Sequence, residues 1–241
     1  MVLFLTLLCR VGVVGLMALY ALPAGAGWEA ANAAYRKGDF VTAMKELRPL
    51  AERGDVNAQY NVGVMHGQGD GVGRDESEAV KWFLGAAQQG HAGAQMNLGI
   101  IFSRDGGVHR DEAAAAAWYR KAAEQGQIVA QYNLAVMYGE GLGIPQNSAE
   151  AVIWYRKAAE RGLPDAQVQL GTMIGAGKRV ARDFVEAYLW LELAVAQGAA
   201  EAAAQQEVLL LAMTGEQVSS AKARARDWVP CGREPQNRPC P

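Results

Sequence analysis

Several groups of residues in this 241-residue chain have the types and spacing that chemistry requires. Ser219-Ser220-Ala221-Lys222 sets a hydroxyl and an amine at the Ser-x-x-Lys spacing used by penicillin-recognising enzymes. The Ser-Asp-Asn and Lys-Thr-Gly elements that complete such a site are missing, and any helix produces this spacing easily. Gly67 to Gly73 has the glycine density of a phosphate cradle, yet neither a preceding strand nor the Lys-Ser/Thr of a P-loop accompanies it. His66, His91 and His109 have no Cys or carboxylate at ligand spacing, so they read as surface or packing residues. No metal and no cofactor is expected. The remaining group is a row of carboxamides, Asn61, Asn97, Asn133 and Gln169, spaced 36 residues apart. Each offers both a donor and an acceptor, which suits the backbone of an extended peptide.

The spacing of that row belongs to the whole chain. With the register set at Ala58, further units begin at Ala94, Ala130 and Ala166. Trp82, Trp118, Trp154 and Trp190 then share one column, Ala79, Ala115, Ala151 and Ala187 a second, and Gly90, Gly126, Gly162 and Gly198 a third. A period of this length marks a stacked array and decides the fold before any motif does.

Each unit reads as two helices. The first starts near the opening Ala, with an inward stripe typified by Leu134, Ala135 and Tyr138. Gly63, Gly99 and Gly171 fall in the slot of Ala135, where a small residue admits the second helix closely. A Gly-rich loop follows, anchored by Val72, Val108, Ile144 or Val180. The second helix starts after Asp75, Asp111, Asn147 or Asp183, all good N-caps. Glu78, Glu150 and Glu186 stand three residues on, which predicts reciprocal capping boxes. The tryptophans lie on this second helix and read as core.

Turning 100° per residue, the first helix directs the fourth position of each unit away from the Leu/Gly stripe. The amide row therefore lies opposite the packed face. Tyr60, Met96 and Tyr132 flank it on one side, and Val64, Ile100 and Val136 on the other. These supply apolar pockets for a bound chain or pack on the neighbouring unit. The plainer alternative is that the amides satisfy helix ends and solvent.

The ends differ. Trp28 to Gly54 reads as a shorter helix pair with a tight Lys37-Gly38-Asp39 turn. Beyond Glu201 one helix reaches Met213, and Thr214 with Gln217 caps a last helix ending near Trp228. Such atypical terminal units are what an array uses to seal its core. The chain divides into a leader over 1–26, a helix pair over 27–57, units at 58–93, 94–129, 130–165 and 166–201, capping helices over 202–229, and a Cys/Pro tail over 230–241.

Val11 to Leu22 is an uninterrupted apolar run after a single charge, Arg10, and Ala24 and Ala26 are small residues placed for cleavage before Gly27. That is a secretory leader, with cleavage expected after Ala26 and a periplasmic or secreted product. The weakly basic start leaves an uncleaved membrane anchor, or an initiation codon placed too early, as the alternatives. Cys231 and Cys240 would then be the even pair of an exported protein, which suggests a disulfide. One pair alone cannot complete a tetrahedral metal site. A net charge of −2 without a basic block argues against a nucleic-acid partner.

The unit running from Ala130-Gln-Tyr-Asn-Leu-Ala-Val-Met-Tyr138 through Ala151 and Trp154-Tyr-Arg-Lys-Ala-Ala159 to Gly162 closely resembles the Sel1-like repeat, a relative of the tetratricopeptide repeat. The resemblance covers roughly residues 30 to 228. It implies an all-α, right-handed superhelix of antiparallel helix pairs, with the amide row on its concave surface. It also implies an adaptor or regulator that holds a protein or peptide, for instance in envelope signalling. Some Cys-rich members bind β-lactams, but their paired cysteines within each repeat are missing here. The leading expectation is an exported, non-catalytic scaffold whose contact with a membrane is limited to an uncleaved leader. The alternative is a β-lactam- or cell-wall-directed hydrolase.

Overall fold

A helix that follows Asp55 can begin with its first orphan N–H groups already satisfied, and this sets the frame of the array. The Asp55 carboxylate accepts the Ala58 N–H at 2.8 Å, and His91 Nδ1 accepts that of Ala94 at 3.1 Å in the next unit. The first helices therefore begin two residues ahead of the alanine column. The computed structural model describes residues 26–177 and 179–230. The leader and both tail cysteines, Cys231 and Cys240, lie outside the described residues.

Twelve helices and no strand occur among the described residues. They are α1 (Ala26–Arg36), α2 (Phe40–Glu52), α3 (Val56–Gln68), α4 (Glu76–Gln88), α5 (Ala92–Phe102), α6 (Glu112–Glu124), α7 (Ile128–Glu140), α8 (Ser148–Glu160), α9 (Pro164–Ala176), α10 (Phe184–Ala196), α11 (Ala200–Leu210) and α12 (Gly215–Arg226). The fold is an all-α solenoid of helix pairs, arranged in two compact units that divide between Gln127 and Ile128.

In the first unit α1 packs on α2, α3 on α4 and α5 on α6, and each pair rests on the next. Its first core joins Ala43, Met44 and Leu47 of α2 to Ala58, Val62 and Met65 of α3. Its second joins Tyr60 and Val64 of α3 and Phe83 of α4 to Leu98 and Ile101 of α5. The first helix is thus packed on both flanks, a geometry that bears directly on the amide row. Trp28 ties the terminal pair to the first repeat by donating its indole N–H to Asp55 at 3.2 Å.

In the second unit α7 pairs with α8 and α9 with α10, while α11 and α12 both pack on α10. The last helix therefore turns back onto α10 as its principal neighbour. Its start carries the reciprocal capping box expected of Thr214 and Gln217. Val208 on α11 is exposed, as is Leu211 just beyond its end.

The predicted N-caps Asp75, Asp111, Asn147 and Asp183 all accept backbone N–H groups of the first turn. The capping boxes predicted at Glu78, Glu150 and Glu186 are not formed reciprocally. At Glu78 and Glu150 the cap N–H is already spent: Asp75 donates to the His66 carbonyl and Asn147 to that of Tyr138, both at 2.8 Å. Glu78 instead pairs with Lys81, and Glu186 with Arg156 and Trp190.

Candidate binding surface

Burial distributes the expected amides unevenly. In the first unit Asn61 and Asn97 are 2% and 0% exposed, and their neighbours Tyr60 and Met96 are buried as well. In the second unit Asn133 is buried, whereas Gln169 and Tyr132 remain partly exposed. The row is thus not the open face that its helical phase suggested. Tyr60 and Val64 turn into the core shared with the next repeat, so their packing role prevails over that of pocket walls.

Two of the buried amides are not fully satisfied. Asn61 Oδ1 has no hydrogen-bond partner, and neither Oδ1 nor Nδ2 of Asn97 has one. The Asn97 carboxamide faces the Tyr60 hydroxyl and partly offsets the upward push that burial gives its pKa, without reaching hydrogen-bonding geometry. Leaving a buried polar group unpaired costs about 1–3 kcal/mol. Native proteins keep few such groups. The alternative in which these amides serve helix ends or solvent fails for Asn97.

A second carboxamide column, Gln59, Gln95, Gln131 and Gln167, does the structural work. Gln95 Nε2 donates to the Ala87 carbonyl of the preceding repeat at 3.1 Å, and its Oε1 accepts from Gln125 at 2.7 Å. Gln59 joins Ala51 and Gln89 in the same manner, and Gln167 joins Ala159 and Gln197. Gln59, Gln95 and Gln167 thus close the carbonyl ends of α2, α4 and α8 onto the following helix within their own unit. An invariant glutamine beside every column alanine is the sequence signal for these staples.

The tryptophans are structural, though not the deepest aromatics. Trp154 and Trp190 are buried, while Trp82 and Trp118 are half-buried and pack on the cores of the first unit. Lys121 lies over the Trp118 ring at 4.3 Å and Lys157 over Trp154 at 4.4 Å. The next residue points further inward: Phe83 and Tyr119 are fully buried, as is Leu191 in the same column.

The other candidates take structural places. Gly71 lies against α2, where an added Cβ would meet the Phe40 carbonyl at 2.4 Å, so the first Gly-rich loop is a close contact between repeats. Gly107 lies likewise against Glu76. His91 is a helix cap stacked on Tyr60, with ring centroids 4.3 Å apart. The Ser219 hydroxyl donates to the Gly215 and Glu216 carbonyls, each at 3.0 Å, and not to Lys222. Among the described residues no cluster of His, Cys, Asp and Glu could hold a metal ion, and no helix is long and apolar enough to cross a membrane.

The sequence matches the Sel1 repeat at residues 56–91, 92–127, 128–163 and 164–198. No curated protein matches it. Among solved structures, it is similar to a protective antigen of uropathogenic Escherichia coli strains that displays an SLR fold. That similarity has 31% identity and a TM-score of 0.70, covering 82% of this chain and 45% of the antigen. A Sel1 repeat protein from Oxalobacter formigenes is 32% identical with a TM-score of 0.67, over 71% of each chain. The chain thus spans less than half the length of the E. coli antigen. Four consecutive repeats matched over more than half the sequence, on a fold of stacked helix pairs, place this chain in the Sel1 repeat family.

Proposed function

We propose that this chain is an exported, non-catalytic scaffold that binds a protein or peptide through the first helices of its repeats. Sel1 repeats commonly serve as protein-interaction scaffolds, which supports the general reading. The observation that carries the specific one is the unused hydrogen-bonding capacity of Asn97, buried on α5 with both amide atoms unpaired. A peptide backbone supplies the matching donor and acceptor. Asn97 is fully buried, so a peptide reaches it only when the side chains that cover it move aside. Gln169 on α9 is already accessible for the first contact in the second unit. Regulation of an envelope or signalling process is the role that an exported scaffold of this kind would serve.

Export rests on the layout of residues 1–26, with Cys231 and Cys240 as its oxidised pair. Cell fractionation and mass spectrometry of the mature N-terminus test it: Gly27 as first residue supports cleavage, and an intact leader overturns it. For the binding face, a photoreactive residue at Gln169 should crosslink one protein in cells. The yield should fall at least tenfold when Asn97 and Asn133 are replaced by Leu, which keeps their volume. An unchanged yield from the folded variant would overturn the amide face.

A further inference from the structure

The return of α12 onto α10 builds a pocket that the amide face does not use. Ala221 is fully buried at this contact, and the Trp228 ring meets Trp190 edge-on with centroids 6.1 Å apart. Between the two helices lies an open surface pocket of about 550 Å³. Leu193, Ala196 and Ala225 give it an apolar lining, and Lys222 and Arg226 bring two cations to it.

Those two cations stand one helical turn apart on the same face of α12. Neither forms an ion pair among the described residues. Like charges at this spacing repel, which disfavours the helix that carries them. Glu192 also lines the pocket, and its negative charge offsets one of the two, which leaves the lining net positive. Glu192 accepts from Gln206 Nε2 at 2.7 Å and is hydrogen-bonded by the Tyr188 hydroxyl. Ser219 also lines the pocket, but its proton is committed to backbone carbonyls, so it is no activated nucleophile beside Lys222. The arrangement is one for holding an anion.

We infer that the pocket between α10 and α12 binds a carboxylate attached to an apolar body. The carboxylate lies across Arg226, whose planar fork takes two oxygens, and Lys222, which adds a point charge. The apolar part covers Leu193, Ala196 and Ala225. Two sources share this chemistry, a free organic acid and the C-terminus of a peptide ending in an apolar residue.

The test uses the full chain and four probes: octanoate, an acetylated Gly-Gly-Gly-Ala-Leu peptide with a free carboxyl, the same peptide amidated, and inorganic phosphate. Binding is followed by calorimetry and by the methyl resonances of Leu193, Ala196 and Ala225. Octanoate, the free-acid peptide or both should shift those resonances, and which of them does identifies the source. The amidated peptide and phosphate should bind at least tenfold more weakly. Replacing Lys222→Gln and Arg226→Gln together should cost at least tenfold in affinity at an unchanged melting temperature. The inference is overturned if phosphate or the amidated peptide binds equally well, if the glutamine variant retains affinity, or if no probe moves the methyl groups. The amide face involves none of these residues, so either site can fail without the other.

Discussion

Gly99 on α5 lies so close to the Tyr119 ring on α6 that an added Cβ would stand 2.5 Å from Tyr119 Cδ1. The same crossing brings Gly63 to Phe83 and Gly171 to Leu191, each at 2.8 Å. In the third repeat Ala135 occupies the slot and Tyr155 the ring position, so there the helices accommodate one more carbon. Gly99→Ala should therefore destabilise the protein by about 1–3 kcal/mol through overpacking. That loss exceeds the gain in helix propensity of about 1 kcal/mol. Ala135→Gly should cost only about 0.5–1 kcal/mol. Denaturant unfolding of the two variants checks the order, and a stabilised Gly99→Ala protein would refute the close crossing.

Depth orders the aromatic columns. Tyr119 is fully buried, whereas Trp118 is half-buried under Lys121. Tyr119→Ala should cost about 3–5 kcal/mol, the range for truncating a buried aromatic, and Trp118→Ala distinctly less. Thermal melts of both variants test this, and the reverse order would return the tryptophan column to the centre of the core.

The glutamine staple gives a third test. Gln95 is 4% exposed and spans the Ala87 carbonyl and the Gln125 amide. Gln95→Ala should destabilise by about 0.5–1.5 kcal/mol, the net worth of a hydrogen bond, because the Ala87 carbonyl keeps the Gly90 N–H and the exposed Gln125 amide can turn to water. Gln125→Ala strips the buried Gln95 Oε1 of its donor and should cost at least as much. A double-mutant cycle should then show coupling between the two positions, as residues in one network do not act additively.

The sequence makes legible what depends on the local backbone of one unit. The N-caps at Asp75, Asp111, Asn147 and Asp183, the left-handed glycines at Gly90, Gly126, Gly162 and Gly198, and the terminal box at Thr214 depend on local backbone, and local backbone repeats. The features that escaped depend on contacts between units or helices. Glu78 lost its capping partner because the His66 carbonyl reaches the Asp75 N–H first. Helical phase turns Asn97 away from the Leu/Gly stripe, yet phase says nothing of what packs on that side, and Asn97 is fully buried. The Gln95 column was visible as an invariant, but its role lies in a carbonyl eight residues earlier, on another helix.

Acid should weaken the first unit through His91. Burial holds the His91 pKa below its usual 6.5, and Nδ1 must stay unprotonated to accept the Ala94 N–H. With the folded pKa below the unfolded one, the unfolded chain takes up the proton first as pH falls. The stabilisation is therefore complete above the unfolded value of about 6.5 and is lost as pH drops through the folded pKa. His66, also lowered by burial, acts in the same direction. The melting temperature should fall between about pH 7.5 and pH 5, and His91→Asn should flatten part of that slope while keeping the cap. An undiminished slope in this variant would remove His91 from the account.

Asn97 separates a structural amide from a functional one. A carboxamide kept for stability has partners, and its replacement by an apolar group of similar volume is costly. Both Asn97 amide atoms are buried without partners, so Asn97→Leu removes a desolvation penalty of about 1–3 kcal/mol. The variant should melt at the same temperature as the parent or higher. If its crosslinking through Gln169 falls when it is combined with Asn133→Leu, stability and binding draw on this position in opposite senses, as expected where an unsatisfied group is retained for a ligand. A lower melting temperature for Asn97→Leu would instead show that the amide holds the fold, and the first-helix face would lose its strongest support.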